Sequence, residues 1–269
     1  MEKRYHEEIS NFRELVKRYE SFGENVAFKY KENKEIQEIT YNQFAKDIKK
    51  VAEKVLASDV KRVAVIGNNR YEWCITYLGV TTAGRIIVPL DKALTDKEIE
   101  KLLKRSKADA IVYDEKYQNA VDEATEQGCN IKYKICMDDI KKDGILNFKE
   151  LLKDGENIIK EGKSKYDDVK LKENEMYIML FTSGTTNEPK AVMLSQENIC
   201  KNISAYQYNF MIYPSDILLS FLPIHHTFEC SITFIYGTYC GATIAFCEGL
   251  KHIANNLKVL EGGFAYIIL

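Results

Sequence analysis

VKRVAVIGNNRYEWCITYLGVTTAGRIIVPL, residues 60–90, sets the fold class. VKRVAVIG (60–67) is a short apolar strand that stops at Gly67. YEWCITYLGVTTAG follows as an apolar helix, and IIVPL (86–90) is a second strand. A strand, a helix and a strand in so short a stretch make a βαβ unit, with the two strands parallel. The alternation continues outward on both sides. Upstream, Thr40 with Gln43 makes a capping box, opening a helix whose apolar face is Phe44, Ile48, Val51, Val55 and Leu56. NVAFKYK and EIQEITY, around 25–41, are a pair of strands joined by charged residues. Farther upstream, Phe12, Leu15, Val16 and Tyr19 recur at helical spacing. That stripe is a core face; a helix lying in a membrane would need a larger one.

Downstream, Thr95 and Glu98 form a second capping box, starting a helix with Ile99, Leu102 and Leu103 inward. ADAIVYD (108–114) is the next strand, followed by a helix near 118–126 and the strand IKYKICM (131–137). The pattern predicts an α/β fold of βαβ lobes with mostly parallel sheets. No repeat of fixed period is present, which argues against a solenoid. Residues 153–175 (KDGENIIKEGKSKYDDVKLKENE) are mostly charged and read as a helix end plus the link between two lobes. On that reading the first lobe is 1–165 and the second is 166–269.

Composition narrows the function classes. The chain has 269 residues, 45% of them hydrophobic, enough for a sizeable core. The formal net charge is -2, without the basic excess of a nucleic-acid-binding surface. The seven cysteines include no CxxC pair, which argues against a zinc site and for reduced thiols. MEKRYHEEISNFRELVKRYE has no apolar core of a secretory signal, and no stretch approaches the roughly 18 apolar residues of a membrane span. The expected setting is cytoplasmic, with peripheral membrane contact left open. Oligomeric state is not legible.

FTSGTTNEPK, residues 181–190, is a hydroxyl-dense loop between the apolar runs MYIML (176–180) and AVML (191–194), both of which read as buried strands. Taken alone, a Thr/Ser/Gly-rich loop is most often an ordinary turn. Its hydroxyls and backbone N–H groups could also wrap an anion, with Lys190 adding charge. It is not a Walker loop. Gly184 stands six residues before Lys190, Pro189 and Ala191 flank the lysine, and the surroundings read strand–loop–strand. Ser195 is a candidate cap for a helix that begins several residues later, with Ile199 and Ile203 on its face.

The ordered string is more specific than its composition. TSGTTNEPKAVMLS, Thr182 to Ser195, resembles the phosphate-binding signature TSGTTGxPKGVMLSH of the adenylate-forming (AMP-binding) enzymes. LPIHHTFE (222–229) resembles their next motif, a Leu-Pro-x-x-His segment beside the acyl and adenylate pocket. GNNRYEWCITYLGVTTAGRIIVPLD (67–91) resembles the long-chain fatty acyl-CoA synthetases in particular, and the chain to about Leu257 resembles the N-terminal portion of such an enzyme. The resemblance implies the front half of the large N-terminal domain and an AMP-forming fatty acid–CoA ligase activity. ATP, Mg2+ and coenzyme A would serve it, with a fatty acid as substrate.

By the same resemblance, Thr182, Ser183, Gly184, Thr185, Thr186 and Lys190 hold the phosphates. Lys190 and His226 are the candidate catalytic residues, and His225, His226, Thr227 and Phe228 line the substrate pocket. No residue is assigned to a metal. The chemistery needed is electrostatic: dense donors and a cation where pyrophosphate develops charge, and groups that orient the attacking carboxylate.

Three positions depart from the signature: Asn187 and Ala191 replace glycines, and Gln196 replaces the final histidine. An alanine at a positive-φ position would be strained. The family's later adenine, ribose, hinge and C-terminal lysine motifs are not in these residues, so the chain reads as truncated, and the apolar segment Phe264–Leu269 is an awkward end unless it packs as a strand. A complete ligase's front half and a non-catalytic truncated descendant acting as a binding or interaction module are therefore both carried forward. An unrelated α/β protein with a chance loop is the weakest alternative. Acyl chain length is not encoded in these motifs.

Overall fold

The computed structural model describes residues 7–182 and 188–260. Ser183, Gly184, Thr185, Thr186 and Asn187 of the hydroxyl-dense loop, and the terminal segment Phe264–Leu269, lie outside the described residues. The chain divides into two units. One comprises residues 1–46, 69–71 and 197–269; the other comprises 47–68 and 72–196.

The first unit opens with α1 (Phe12–Phe22), capped by Asn11, whose side chain accepts the backbone N–H groups of Arg13 and Glu14. Phe12, Leu15, Val16 and Tyr19 are buried, so the N-terminal stripe is a core face. Strands β1 (Val26–Glu32) and β2 (Glu35–Thr40) pair antiparallel, with Glu32 opposite Glu35. Their two-residue connection places Asn33 at φ 49° and Lys34 at φ 70°. Two left-handed residues are what a tight hairpin needs to match strand twist. Helix α2 (Tyr41–Leu56) follows at once, and the Thr40 hydroxyl accepts the Gln43 N–H at 3.2 Å.

The same unit later adds β10 (Ile217–Ser220) and β11 (Thr243–Phe246), giving a four-stranded sheet in the order β10-β11-β1-β2. An aromatic core lies on β1: Phe28 stacks on Phe246 at 5.5 Å and meets Phe44 edge-on at 4.8 Å. Tyr41 ties the sheet to the segment before β11 through a 2.6 Å hydrogen bond to the Ala242 carbonyl. Residues Glu229–Tyr236 form a π-helix that runs into the short α8 (Gly237–Tyr239).

The second unit is built on β3 (Arg62–Ile66), β4 (Ile86–Pro89), β5 (Ala110–Tyr113), β6 (Tyr133–Cys136), β7 (Ile145–Asn147), β8 (Ile178–Thr182) and β9 (Lys190–Leu194). Their order is β7-β6-β5-β3-β4-β8-β9, parallel throughout except for the antiparallel β8–β9 pair. Helices α3 (Tyr71–Thr82), α4 (Asp96–Ser106) and α5 (Gln118–Glu126) are the connections. The Thr95 N–H and O–H both donate to Glu98 at 2.8 Å, and Ile99, Leu102 and Leu103 are buried. β5 is buried at every position, as a central parallel strand covered on both faces must be.

Three expectations are corrected. Residues 145–160 form β7 and α6 (Phe148–Lys160), so the helix end read from residue 153 is the second half of α6. Gly155 lies inside α6, where an added Cβ would sit 2.0 Å from the Lys50 carbonyl oxygen of α2. It is a crossing-point glycine, not a loop glycine. The rest of the charged segment belongs to the second unit as well. Buried Glu53 of α2 accepts the N–H groups of Lys165 at 3.0 Å and Tyr166 at 2.8 Å, together with the Ser164 hydroxyl. The expected lobe boundary at 165/166 thus falls inside a unit that runs on to Gln196, because β8 and β9 extend its sheet.

The second correction concerns β9, and the third the helix that follows it. Ala191, Val192 and Met193 are exposed, Met193 at 66%. β9 ends the sheet and has a paired neighbour on one side only. Helix α7 (Gln196–Tyr206) then begins directly after Ser195, not several residues later. α9 (Ile253–Val259) ends the described chain, and no described helix is long and apolar enough to cross a membrane. No disulfide joins any of the seven cysteines.

Candidate functional site

In an open parallel sheet, ligands bind outside the carboxyl ends of strands, favouring the point where strand order reverses. In the second unit that point lies between β3 and β5. The protein fills it with its own side chains. Asp114, just after β5, accepts the Asn68 N–H at 2.7 Å. A Cβ on Gly67 would meet Asp114 Oδ1 at 2.9 Å and Met137 Cε at 2.6 Å.

The carboxyl end of β8 is different. Ile178 of β8 pairs in parallel with Ile87, and the Ile87 N–H donates to the Tyr177 carbonyl at 2.8 Å. β8 therefore delivers Thr182 to the carboxyl edge. The return strand β9 starts opposite it: Thr182 pairs with Lys190 and Phe181 with Ala191. Both Thr182 and Lys190 are exposed. Glu188, two residues earlier, is engaged by Arg105 at 3.1 Å and by Lys101 at 3.9 Å. Among the described residues no ion pair reaches Lys190. A hydroxyl and an ammonium thus stand opposite each other at the end of the β8–β9 pair.

Ala191 is not among the described residues with positive φ, and it sits in regular strand pairing with Phe181. The strain expected from alanine in place of glycine is absent at this position. Gln196, in place of the signature histidine, is buried and donates from Nε2 to the Thr81 carbonyl at 2.9 Å, satisfying an acceptor in the last turn of α3.

The first unit holds the histidine motif as a turn between β10 and the π-helix. The His226 N–H donates to the Pro223 carbonyl at 2.9 Å, and the Cys230 N–H donates to the His226 carbonyl at 3.0 Å. The Phe228 N–H donates to His226 Nδ1 at 3.3 Å. In the neutral ring this puts the proton on Nε2 and makes it a donor toward whatever faces it. His226 and Thr227 are exposed; His225 and Phe228 are half-buried. The four pocket candidates thus lie together between β10 and the π-helix, with the His226 side chain exposed.

Of two residues that sequence reasoning missed, one holds this turn and the other lies buried beside it. Asn69 donates from Nδ2 to the Leu222 carbonyl at 2.6 Å and to Ser220 Oγ at 2.9 Å, while its Oδ1 accepts the Ile224 N–H at 3.1 Å. Glu229, the last residue of the motif, is 1% exposed. Its Oε2 accepts the Thr233 hydroxyl at 3.1 Å, and its Oε1 is buried without a hydrogen-bond partner. Burial pushes its pKa up to about 7, against the opposing pull of the Ser220 and Thr233 hydroxyls. A carboxylate at the edge of the apolar run CSITFIYG was the available signal.

The family model described as AMP-binding enzyme matches residues 15–261. The chain belongs to that family. As an AMP-binding enzyme chain it is 31% identical over 213 residues to long-chain-fatty-acid–CoA ligase 5 of Mus musculus, a match covering 74% of this chain and 31% of the relative. It is 26% identical over 212 residues to fatty acyl-CoA synthetase A of Dictyostelium discoideum, covering 76% and 31%. The chain thus spans about a third of the length of these curated relatives. Among solved structures, a long-chain-fatty-acid-CoA ligase from Archaeoglobus fulgidus superposes with a TM-score of 0.78 at 16% identity, over 98% of this chain and 53% of that one. The N-terminal domain of FACL13 from Mycobacterium tuberculosis gives 0.76 at 17%, over 93% and 60%. At these identities the structures establish the AMP-binding fold, that of the N-terminal domain of acyl-CoA ligases.

Proposed function

We propose that this chain supplies the ATP-phosphate and carboxylate-orienting part of an AMP-forming fatty acyl-CoA ligase. The observation that carries the reading is the opposition of Thr182 and Lys190 at the carboxyl edge of the sheet. ATP enters as its magnesium complex. The fatty acid carboxylate attacks the α-phosphorus, pyrophosphate leaves, and coenzyme A takes the acyl group from the adenylate. In this reading Lys190, Thr182 and the Ser183, Gly184, Thr185 and Thr186 loop stabilise the departing charge. His226 donates from Nε2 toward the carboxylate, with His225, Thr227 and Phe228 shaping the pocket. The resemblance to long-chain ligases supports a fatty acid substrate, and unbridged cysteines support a reducing, cytoplasmic setting.

The adenine, ribose, hinge and second-lysine motifs of the family are not among residues 1–269, so these residues alone are expected not to turn over. In a complete ligase carrying them, Lys190→Ala should slow exchange of labelled pyrophosphate into ATP by roughly 100-fold, while thioester formation from preformed acyl-adenylate stays near wild type. Equal losses in both half-reactions would contradict the assignment. A second reading, a non-catalytic interaction module, draws on the exposed Val192 and Met193 of edge strand β9. Under it, the complete polypeptide shows no exchange at all.

A further inference from the structure

Glu229 lies outside the roles assigned above, yet it closes a ring of hydrogen bonds around the histidine turn. Asn69 grips the turn at Leu222 and Ile224 and, with the same amide nitrogen, reaches Ser220 Oγ at 2.9 Å. That contact uses Ser220 Oγ as acceptor and leaves its proton to donate to Glu229. From the other side Thr233 donates to Glu229 Oε2 at 3.1 Å. The next residue, Cys230, donates its N–H to the His226 carbonyl at 3.0 Å, returning the ring to the turn. Glu229 is also the first residue of the π-helix. Such helices are rare and concentrate at functional sites.

We propose that Glu229 is a positioning residue for His226: a buried carboxyl, held between Ser220 and Thr233, that fixes the start of the π-helix and so the turn from Leu222 to Phe228. The proposal rests on the reading of His226 as the residue that faces the substrate carboxylate. Its physical basis is the buried Oε1. An ionised carboxylate that is 1% exposed, with one oxygen unpartnered, is far costlier than a neutral one. The groups that act on it are neutral hydroxyls, from β10 and from its own helix, with the Asn69 amide behind. The ionisable groups nearest in sequence are His225, His226 and Cys230. Deprotonation would leave a buried charge with no donor at Oε1, and the shift that relieves it would move the start of the π-helix and carry the turn with it.

The test is a pH titration by NMR of this chain, following the Glu229 carboxyl carbon and the amides of Leu222, Ile224 and Phe228. The expected result is a Glu229 midpoint near pH 7, a step of the same midpoint in the three amides, and loss of that step in Glu229→Gln. His226→Gln serves as control: it removes the imidazole and should leave the Glu229 step in place. A Glu229 midpoint in the ordinary carboxylate range overturns the proposal. So does a midpoint near 7 to which the three amides do not respond, which would make the carboxyl buried but structurally silent. The wild-type titration stands if a variant fails to fold. It reads turn geometry without ligase activity, so its outcome is separable from that of the proposed reaction.

Discussion

Asn69 holds the backbone of Ile224: its Oδ1 accepts the Ile224 N–H at 3.1 Å while its Nδ2 donates to the Leu222 carbonyl at 2.6 Å. One side chain thus satisfies two orphan groups of an irregular turn. Asn69→Ala removes both partners and should destabilise the protein by about 1–3 kcal/mol. Asn69→Asp should be no better, because it sets a carboxylate oxygen against the Leu222 carbonyl. Urea denaturation of both variants checks this; an unchanged midpoint in both would mean the turn holds itself.

Gly155 is fixed by the crossing of α6 over α2, with the Lys50 carbonyl oxygen 2.0 Å from where a Cβ would be. Gly155→Ala improves helix propensity, yet it should destabilise by about 1–3 kcal/mol because backbone must move. A raised melting temperature would show the crossing to be looser than described.

Asp122 offers a clean acid-range test. Burial raises its pKa, but bonds from Lys134 at 2.8 Å, Lys142 at 2.7 Å and Gln118 outweigh it and set the value at about 2. A carboxylate with a lowered folded pKa stabilises above its unfolded value and loses that contribution as pH falls through the folded one. Asp122→Asn should therefore be less stable than wild type at pH 7, and the gap should close between about pH 4 and pH 2. Parallel stability curves over that range would rule out the ion-pair account.

Lys34 occupies the second left-handed position of the β1–β2 hairpin at φ 70°. A residue with a Cβ pays there, so Lys34→Gly should stabilise by about 1 kcal/mol, visible as a rise in melting temperature.

The strand and helix rhythm was legible because buried parallel strands and amphipathic helices carry strong periodicity. Helix 118–126 and the Thr95–Glu98 box were found on local signals alone. β7 and α6 were hidden because charges and Gly155 imitate a linker, while the reason for Gly155 lies 105 residues away at Lys50. The exposure of AVML could not be read either, since an apolar strand becomes an edge only through sheet order. Of the candidate site residues, Thr182, Lys190 and His226 were marked by ordered motifs. Asn69 and Glu229 were not, because their role is set by burial and by hydrogen bonds to distant backbone.

The central claim is that the hairpin mouth between Thr182 and Lys190 receives the phosphates of ATP. Titrating this chain with MgATP and with pyrophosphate, while following backbone amides by NMR, tests it most directly. The account predicts weak binding by both ligands, shifts centred on Thr182 and Lys190, and roughly tenfold weaker binding in Lys190→Ala, equivalent to about 1.4 kcal/mol. Equal affinity in wild type and Lys190→Ala, or shifts centred away from the β8–β9 hairpin, would contradict it.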